Sequence, residues 1–309
     1  MAIVDSENLL KRFGRYLKLE RGLSANTVEG YTGDVEKLVD FIQAEELDWS
    51  RVTGDDLHRF VCTLQDLGIG ARSQARIISG IKSFFGFLKV EKVIDEDPSE
   101  LIETPKLGVK LPDVLTVDEV DQLVALFDLS RPEDRRNRAI IETLYGCGLR
   151  VSELVGLRIS DLYLSDGYII VEGKGEKRRL VPISQNAIRE IALYMDDRQQ
   201  LDIKRGSEDI LFLNRRGAKL TRVMVFYIVK RACEKCGIRK NVSPHTLRHT
   251  FATHLLEGGA NLRAIQQMLG HESITTTELY THLDRQFLRQ EILQHHPRNQ
   301  KPPINNGDK

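Results

Sequence analysis

Only one stretch of this chain alternates in the manner of paired β-strands. Residues 167–184, G-Y-I-I-V-E-G-K-G-E-K-R-R-L-V-P-I-S, hold two β-rich runs around a glycine-rich turn, which reads as a hairpin. The other periodic segments repeat their apolar residues at three or four, so the chain is confined to a mainly α fold with a small β-hairpin or sheet. At 309 residues, 41% hydrophobic and 29% charged, it is long enough for two domains, each with its own core.

From Ser6 to about Lys92 the pattern is helical, with Leu9, Phe13, Tyr16 and Leu17 on the first stripe. Ser24 is placed to cap a second helix, and two more follow around 55–67 and 71–90, the last carrying Ile77, Ile81, Phe84, Phe85 and Leu88. Four helices without a strand make a small all-α domain. Arg72, Arg76 and Lys82 are interspersed with polar residues and read as a solvated face. Glu103–Asp113 holds two prolines, a glycine and two lysines, the composition of a linker. The expected division is residues 1–104, a linker at 105–114, an α+β domain over 115–298 and a disordered tail at 299–309.

In the second half, Thr116 opens a helix over 117–127 and another spans 135–146. G-C-G-L-R-V-S-E-L, residues 146–154, breaks that helix at glycines and starts a new one at Arg150, with Glu153 three residues on. An arginine beside a helix N-terminus opposes the dipole, so a purely structural role explains Arg150 poorly, although a surface arginine remains an alternative. Lys174 lies between two glycines at the hairpin tip, where a solubilising lysine is the plain reading. Ser243-Pro244 is a helix start. Three residues apart on that helix, His245 and Arg248 project together, away from the Leu247, Phe251, Leu255 stripe. A short helix, Leu262–Leu269, closes at Gly270 before His271, and Ser273 can cap a third that carries Tyr280, a residue that half-buried packing would also explain.

Charge is balanced overall, 45 basic against 45 acidic residues, but it is not evenly spread. Residues 201–250 hold 12 basic and 4 acidic side chains, whereas residues 1–50 hold 6 and 10, so positive charge gathers around the helix of His245 and Arg248. The four cysteines include Cys233 and Cys236 at C-x-x-C spacing, yet no second pair completes a zinc site, and they read as structural thiols. The N-terminus lacks a basic, apolar leader, so the expected location is the cytoplasm.

Two arginines, a lysine, two histidines and a tyrosine, with no carboxylate-rich metal site, fit phosphodiester transfer through a covalent tyrosine. Guanidinium forks match the non-bridging oxygens of a phosphate. Tyrosine is a weak nucleophile at its ordinary pKa and needs a histidine or the arginine field beside it, and the departing hydroxyl needs an acid.

In this order the motifs resemble the tyrosine recombinase family, also called phage integrases, and its Xer branch. They are an Arg in G-x-G-L-R-x-S-E-L, a Lys in G-K-G-x-K-x-R, H-x-L-R-H-T-F-A-T-H-L, L-G-H and T-T-x-x-Y-T-H. The resemblance spans about residues 1–298. It implies a SAM-like core-binding domain and a catalytic domain forming a two-domain, C-shaped clamp around DNA. It also implies Tyr280 as nucleophile, Arg150 and Arg248 as phosphate clamps, Lys174 as general acid, His245 as acid/base partner and His271 as a phosphate donor. Glu153 positions Arg150. No cofactor or metal is expected. The implied partners are a dif-like double-stranded DNA site, a XerC-like recombinase in a heterotetramer that works through a Holliday junction, and an FtsK-like translocase, with no membrane. The alternatives are the XerC-like paralogue itself, an integron or phage-type integrase, a type IB topoisomerase, and a helix-turn-helix regulator over 262–280. Residues 286–296 read as an amphipathic helix, with Phe287, Leu288, Ile292 and Leu293 apolar. Such an end can pack in the core of its own subunit or, with the H-H-P-R that ends at Arg298, dock head-to-tail on a neighbouring one, and the resemblance favours docking.

Overall fold

The computed structural model describes residues 6–105, 113–173, 177–270 and 282–299. The chain divides into two compact units, Met1–Lys110 and Leu111–Lys309.

The first unit is four helices, α1 (Ser6–Leu19), α2 (Ala25–Ala44), α3 (Gly54–Asp66) and α4 (Ala71–Val90). Local chemistry sets their starts. The Ser24 hydroxyl accepts from the Thr27 N–H ahead of α2, and Thr53 and Asp56 form a reciprocal capping box at α3. Hydrogen bonds from the Thr53 side chain, then from Arg59, hold the Asp56 carboxyl down at about 2. Ile77, Ile81, Phe84, Phe85 and Leu88 of α4 are all buried, and the Phe84 ring packs edge-on to Phe13 at 5.1 Å and to Trp49 at 5.3 Å. Arg76 is exposed, as a solvated face requires, but it also has a structural partner. Its guanidinium reaches back to the buried Asp34 of α2 at 2.5 Å, because Asp34 is left inside the α2–α4 contact and needs a cation.

The second unit runs α5 (Val117–Ala125), α6 (Pro132–Cys147), α7 (Val151–Gly156), β1 (Leu162–Tyr163), β2 (Tyr168–Glu172), β3 (Arg178–Pro182), α8 (Gln185–Gln199), α9 (Arg222–Lys235), α10 (Pro244–Glu257), α11 (Leu262–Leu269) and α12 (His282–His295). The expected hairpin is present as β2 and β3, with Tyr168 opposite Pro182 and Glu172 opposite Arg178. A third strand, β1, adds to β2 and makes an antiparallel sheet in the order β1-β2-β3. The fold is therefore mainly α with a small sheet.

At the centre lies α6, whose residues from Ala139 to Cys147 are all buried, so it is enclosed on every side by its neighbours, chiefly α8 and α10. Gly148 ends it in the left-handed region at φ 60°, and its α-carbon lies against the Phe251 ring of α10. A side chain there would meet both the backbone strain and the ring, so only glycine lets the chain turn from α6 into Arg150.

In the single chain the C-terminal segment packs within its own unit, the core-packing alternative to docking. Leu288 and Ile292 of α12 are fully buried in this unit's own core, packed toward β3 and α10, whereas Phe287 and Leu293 are exposed. His296 is buried against Tyr145 and Phe251, and Arg298 lies over the Tyr145 ring with its Nε 3.2 Å from the buried Glu142. Asn299, placed by the sequence in the disordered tail, instead accepts from the Gln185 N–H at 3.1 Å. An amphipathic helix fills whichever apolar groove it reaches, and the groove in its own unit is adjacent.

Candidate active site

Three elements converge on one carboxylate. Arg150 is the N-cap residue of α7 and Glu153 lies one turn into that helix, so the Glu153 side chain folds back to accept from the Arg150 N–H at 2.8 Å. Glu153 also accepts from Arg150 Nη1 at 2.8 Å, from Arg179 Nη1 at 2.7 Å and from Arg179 Nη2 at 2.9 Å. Arg248, from α10, brings its Nη1 within 3.9 Å of the same carboxylate. The Glu153 side chain is almost fully buried. Burial pushes its carboxyl up, but Arg179 and then Arg150 outweigh that, so it is held below the usual glutamate value and stays ionised.

Backbone carbonyls complete the frame. Arg248 donates to the Gly148 carbonyl at 2.8 Å and to the Leu269 carbonyl at 2.5 Å, Arg150 Nη2 donates to the Gly270 carbonyl at 3.2 Å, and Arg179 Nε donates to the Met268 carbonyl at 2.9 Å. The last turn of α11 therefore rests on three arginines from three other elements. Its terminal Gly270 is left-handed, at φ 65°. Arg248 is 6% exposed, and burial first, then the charge of Arg150, lowers it to about 10, with Glu153 opposing and Arg179 adding to the fall. It remains a cation at neutral pH. Arg150 is different in kind, with 40% of its side chain exposed and so able to meet a ligand.

Three cations around one carboxylate leave a local excess of positive charge in a partly desolvated setting, which is the electrostatics of an oxyanion or phosphate site. Of the residues expected from the sequence, the structure brings together Arg150, Glu153 and Arg248. His245 stands one turn before Arg248 on α10 and is exposed. Lys174, His271 and Tyr280 lie outside the described residues, although Gly173 and Gly270, which directly precede the first two, are both placed beside the cluster. Sequence reasoning gave no role to Arg179. Its signal was the final arginine of the G-K-G-x-K-x-R pattern, sitting in a strand whose alternate residues must point inward.

Two family profiles match the chain, the Phage integrase family over residues 113–286 and the Phage integrase N-terminal SAM-like domain over residues 10–92. The chain belongs to the phage integrase family. Within it the chain is a Xer-type tyrosine recombinase, an enzyme of site-specific DNA recombination. It is 41% identical over 295 residues to tyrosine recombinase XerD of Proteus mirabilis, covering 95% of this chain and 94% of that protein. It is also 41% identical to tyrosine recombinase XerD of Staphylococcus haemolyticus, over 94% of this chain and 99% of that one. Among solved structures, the XerH recombinase bound to its difH substrate superimposes with a TM-score of 0.70 at 23% identity, over 94% of this chain and 96% of that one. A lambda integrase dimer bound to a core site gives 0.68 at 21% identity, over 89% and 99%. At those identities the two structures speak for the fold.

Proposed function

We propose that this chain is the XerD-type member of a recombinase pair, cutting and rejoining double-stranded DNA at a dif-like site through a covalent 3′-phosphotyrosyl intermediate. The observation that carries the reading is the arginine cluster, Arg150 and Arg248 held rigidly about buried Glu153 with Arg150 still open to solvent. In the proposed step the Tyr280 oxygen attacks the scissile phosphorus and the bond to the 5′ oxygen breaks, so the phosphodiester is exchanged for a phosphotyrosyl ester. Lys174 gives its proton to the departing 5′ oxygen. His245 takes part in the transfer of the tyrosyl proton, and His271 donates to a non-bridging oxygen. Arg150 and Arg248 bear the charge of the pentacoordinate transition state, and a rigid donor does so at no cost in reorganisation. Attack by a 5′ hydroxyl from the partner duplex reverses the chemistry and joins the new strand, so neither ATP nor a metal ion is required. The residues 1–104 and 115–298 would act as the core-binding and catalytic domains.

The likeness to proteins named XerD supports a dif-like site, a XerC-like partner in a heterotetramer with a Holliday-junction intermediate, an FtsK-like translocase, and a role in converting chromosome dimers to monomers at cell division, in the cytoplasm. No described helix is long and apolar enough to cross a membrane. The test is strand exchange between two differently labelled duplexes carrying the site, with the paralogue present. Recombinant product and a junction intermediate are expected. Religation of each strand only to its original partner would instead indicate topoisomerase behaviour.

A further inference from the structure

Arg178 and Arg179 are neighbours on β3 with opposite fates. Arg178 is exposed and pairs with Asp161, whereas Arg179 faces inward and is 8% exposed. Its planar fork uses three donors on two separate elements, both oxygens of Glu153 on α7 and the Met268 carbonyl near the end of α11. The side chain also fills the space beside two glycines. A β-carbon on Gly270 would lie 3.0 Å from Arg179 Cδ and 3.1 Å from its Nε, and one on Gly173 would lie 3.5 Å from its Nη1. Those glycines directly precede His271 and Lys174 in the sequence. With both Glu153 oxygens and a carbonyl taken, Arg179 has neither the exposure nor the free geometry to hold a phosphate itself.

We propose that Arg179 is a positioning residue for strand cleavage. A single guanidinium sets the Arg150–Glu153 pair, the end of α11 and the exit of the hairpin from β2 in one register. The segments that carry Lys174 and His271 thus start from fixed points around the phosphate clamp. The proposal rests on the transesterification reading given above. A misplacement of catalytic groups by about 1 Å costs on the order of 10²-fold in rate, so a residue of this kind acts on the chemical step and not on affinity. A purely structural ion pair predicts something else, because buried pairs replaced as a unit leave stability little changed or improved and have no reason to alter chemistry.

The experiment uses the full chain on a half-site duplex nicked near the cleavage point, which traps the covalent complex. Single-turnover trapping is measured at saturating protein and half-site affinity is measured separately. Arg179→Met is expected to trap on the order of 10²-fold more slowly with affinity essentially unchanged. Arg179→Lys is expected to recover little of that, because an ammonium cannot span the carboxylate and the Met268 carbonyl as the fork does. Glu153→Gln with Arg179→Met should be scarcely slower than Glu153→Gln alone, since both act on the same geometry. That double variant removes the carboxylate together with Arg179 and leaves Arg248 its two backbone carbonyls, so it carries the test if Arg179→Met does not fold. Trapping by Arg179→Met at the parent rate, full rescue by lysine, or additive losses in the double variant would each overturn the proposal while leaving the reading of the site intact. If the parent chain itself forms no covalent complex, the reading of the site fails and this proposal fails with it.

Discussion

Replacing Arg298 by methionine removes one charge while keeping most of the side chain's length, and the structure gives the cost a definite source. Arg298 is the cation beside Glu142, a carboxylate buried in the middle of α6, and its bond to exposed Asp121 adds little. Removing one partner of a buried ion pair costs about 3–5 kcal/mol, a large part of the roughly 5–15 kcal/mol that holds a domain folded. For a unit of this size that corresponds to a fall in Tm of roughly 6–20 °C. The deficit should depend on pH in a fixed direction. Burial already raises the Glu142 carboxyl, with Arg298 opposing, so its folded value lies above the unfolded one and its stability is lost as pH rises. Without Arg298 the folded value climbs further, which makes the variant's deficit large near pH 8 and smaller toward pH 5. His296 shifts the comparison the same way. Burial, then Arg298, holds it down to about 3, so removing the cation makes its protonation in acid less costly. The only tryptophan, Trp49, lies in the core of the first unit, so its fluorescence reports that unit alone, and the part of the far-ultraviolet dichroism change that fluorescence does not share belongs to the second. The expected result is a dichroism transition that moves and a fluorescence transition that does not, with much of the loss recovered in Arg298→Met/Glu142→Gln. A deficit below about 1 kcal/mol at pH 8, or one that fails to shrink in acid, would refute the argument.

Deleting Leu288–Lys309 removes Leu288 and Ile292 from the core together with that ion pair, so an unfolded or insoluble second unit is expected, to be read by dichroism and solubility; a soluble, cooperative truncation would return the helix to a docking role. Gly148→Ala combines a left-handed backbone with contact on the Phe251 ring and should lower both stability and cleavage, measured by thermal melting and suicide-substrate trapping. Lys174→Ala should slow cleavage by about 10² to 10⁴, and a 5′-bridging sulfur substrate, whose leaving group needs no proton, should restore it. Arg150→Ala and Arg248→Ala should each cost on the order of 10² to 10³ in cleavage, with little change in half-site affinity by gel shift.

Helix starts were legible because caps are written locally. Ser24, Thr116 and Ser243 each accept from an N–H three residues on, as their spacing to the apolar stripe foretells. Arg150, Glu153 and Arg248 were legible from motif and resemblance, and their convergence on one carboxylate is what the fold adds. Arg179 was missed because Lys177-Arg178-Arg179 reads as one basic run, and only its motif position and the strand alternation that separates it from exposed Arg178 set it apart. Two-residue β1 is too short for any periodicity to register. The tail shows a different limit: the spacing of Leu288 and Ile292 revealed an apolar helix face, but periodicity does not say whether the groove it fills belongs to its own unit or to another.

The measurement closest to the central claim is covalent trapping of the full chain on a suicide duplex nicked near the cleavage point, run on a denaturing gel in EDTA. The account predicts a protein–DNA band whose tryptic peptide carries the nucleotide on Tyr280, and its disappearance in Tyr280→Phe with half-site affinity retained. A band of undiminished intensity from Tyr280→Phe, or a strict need for a divalent metal in the parent, would contradict it.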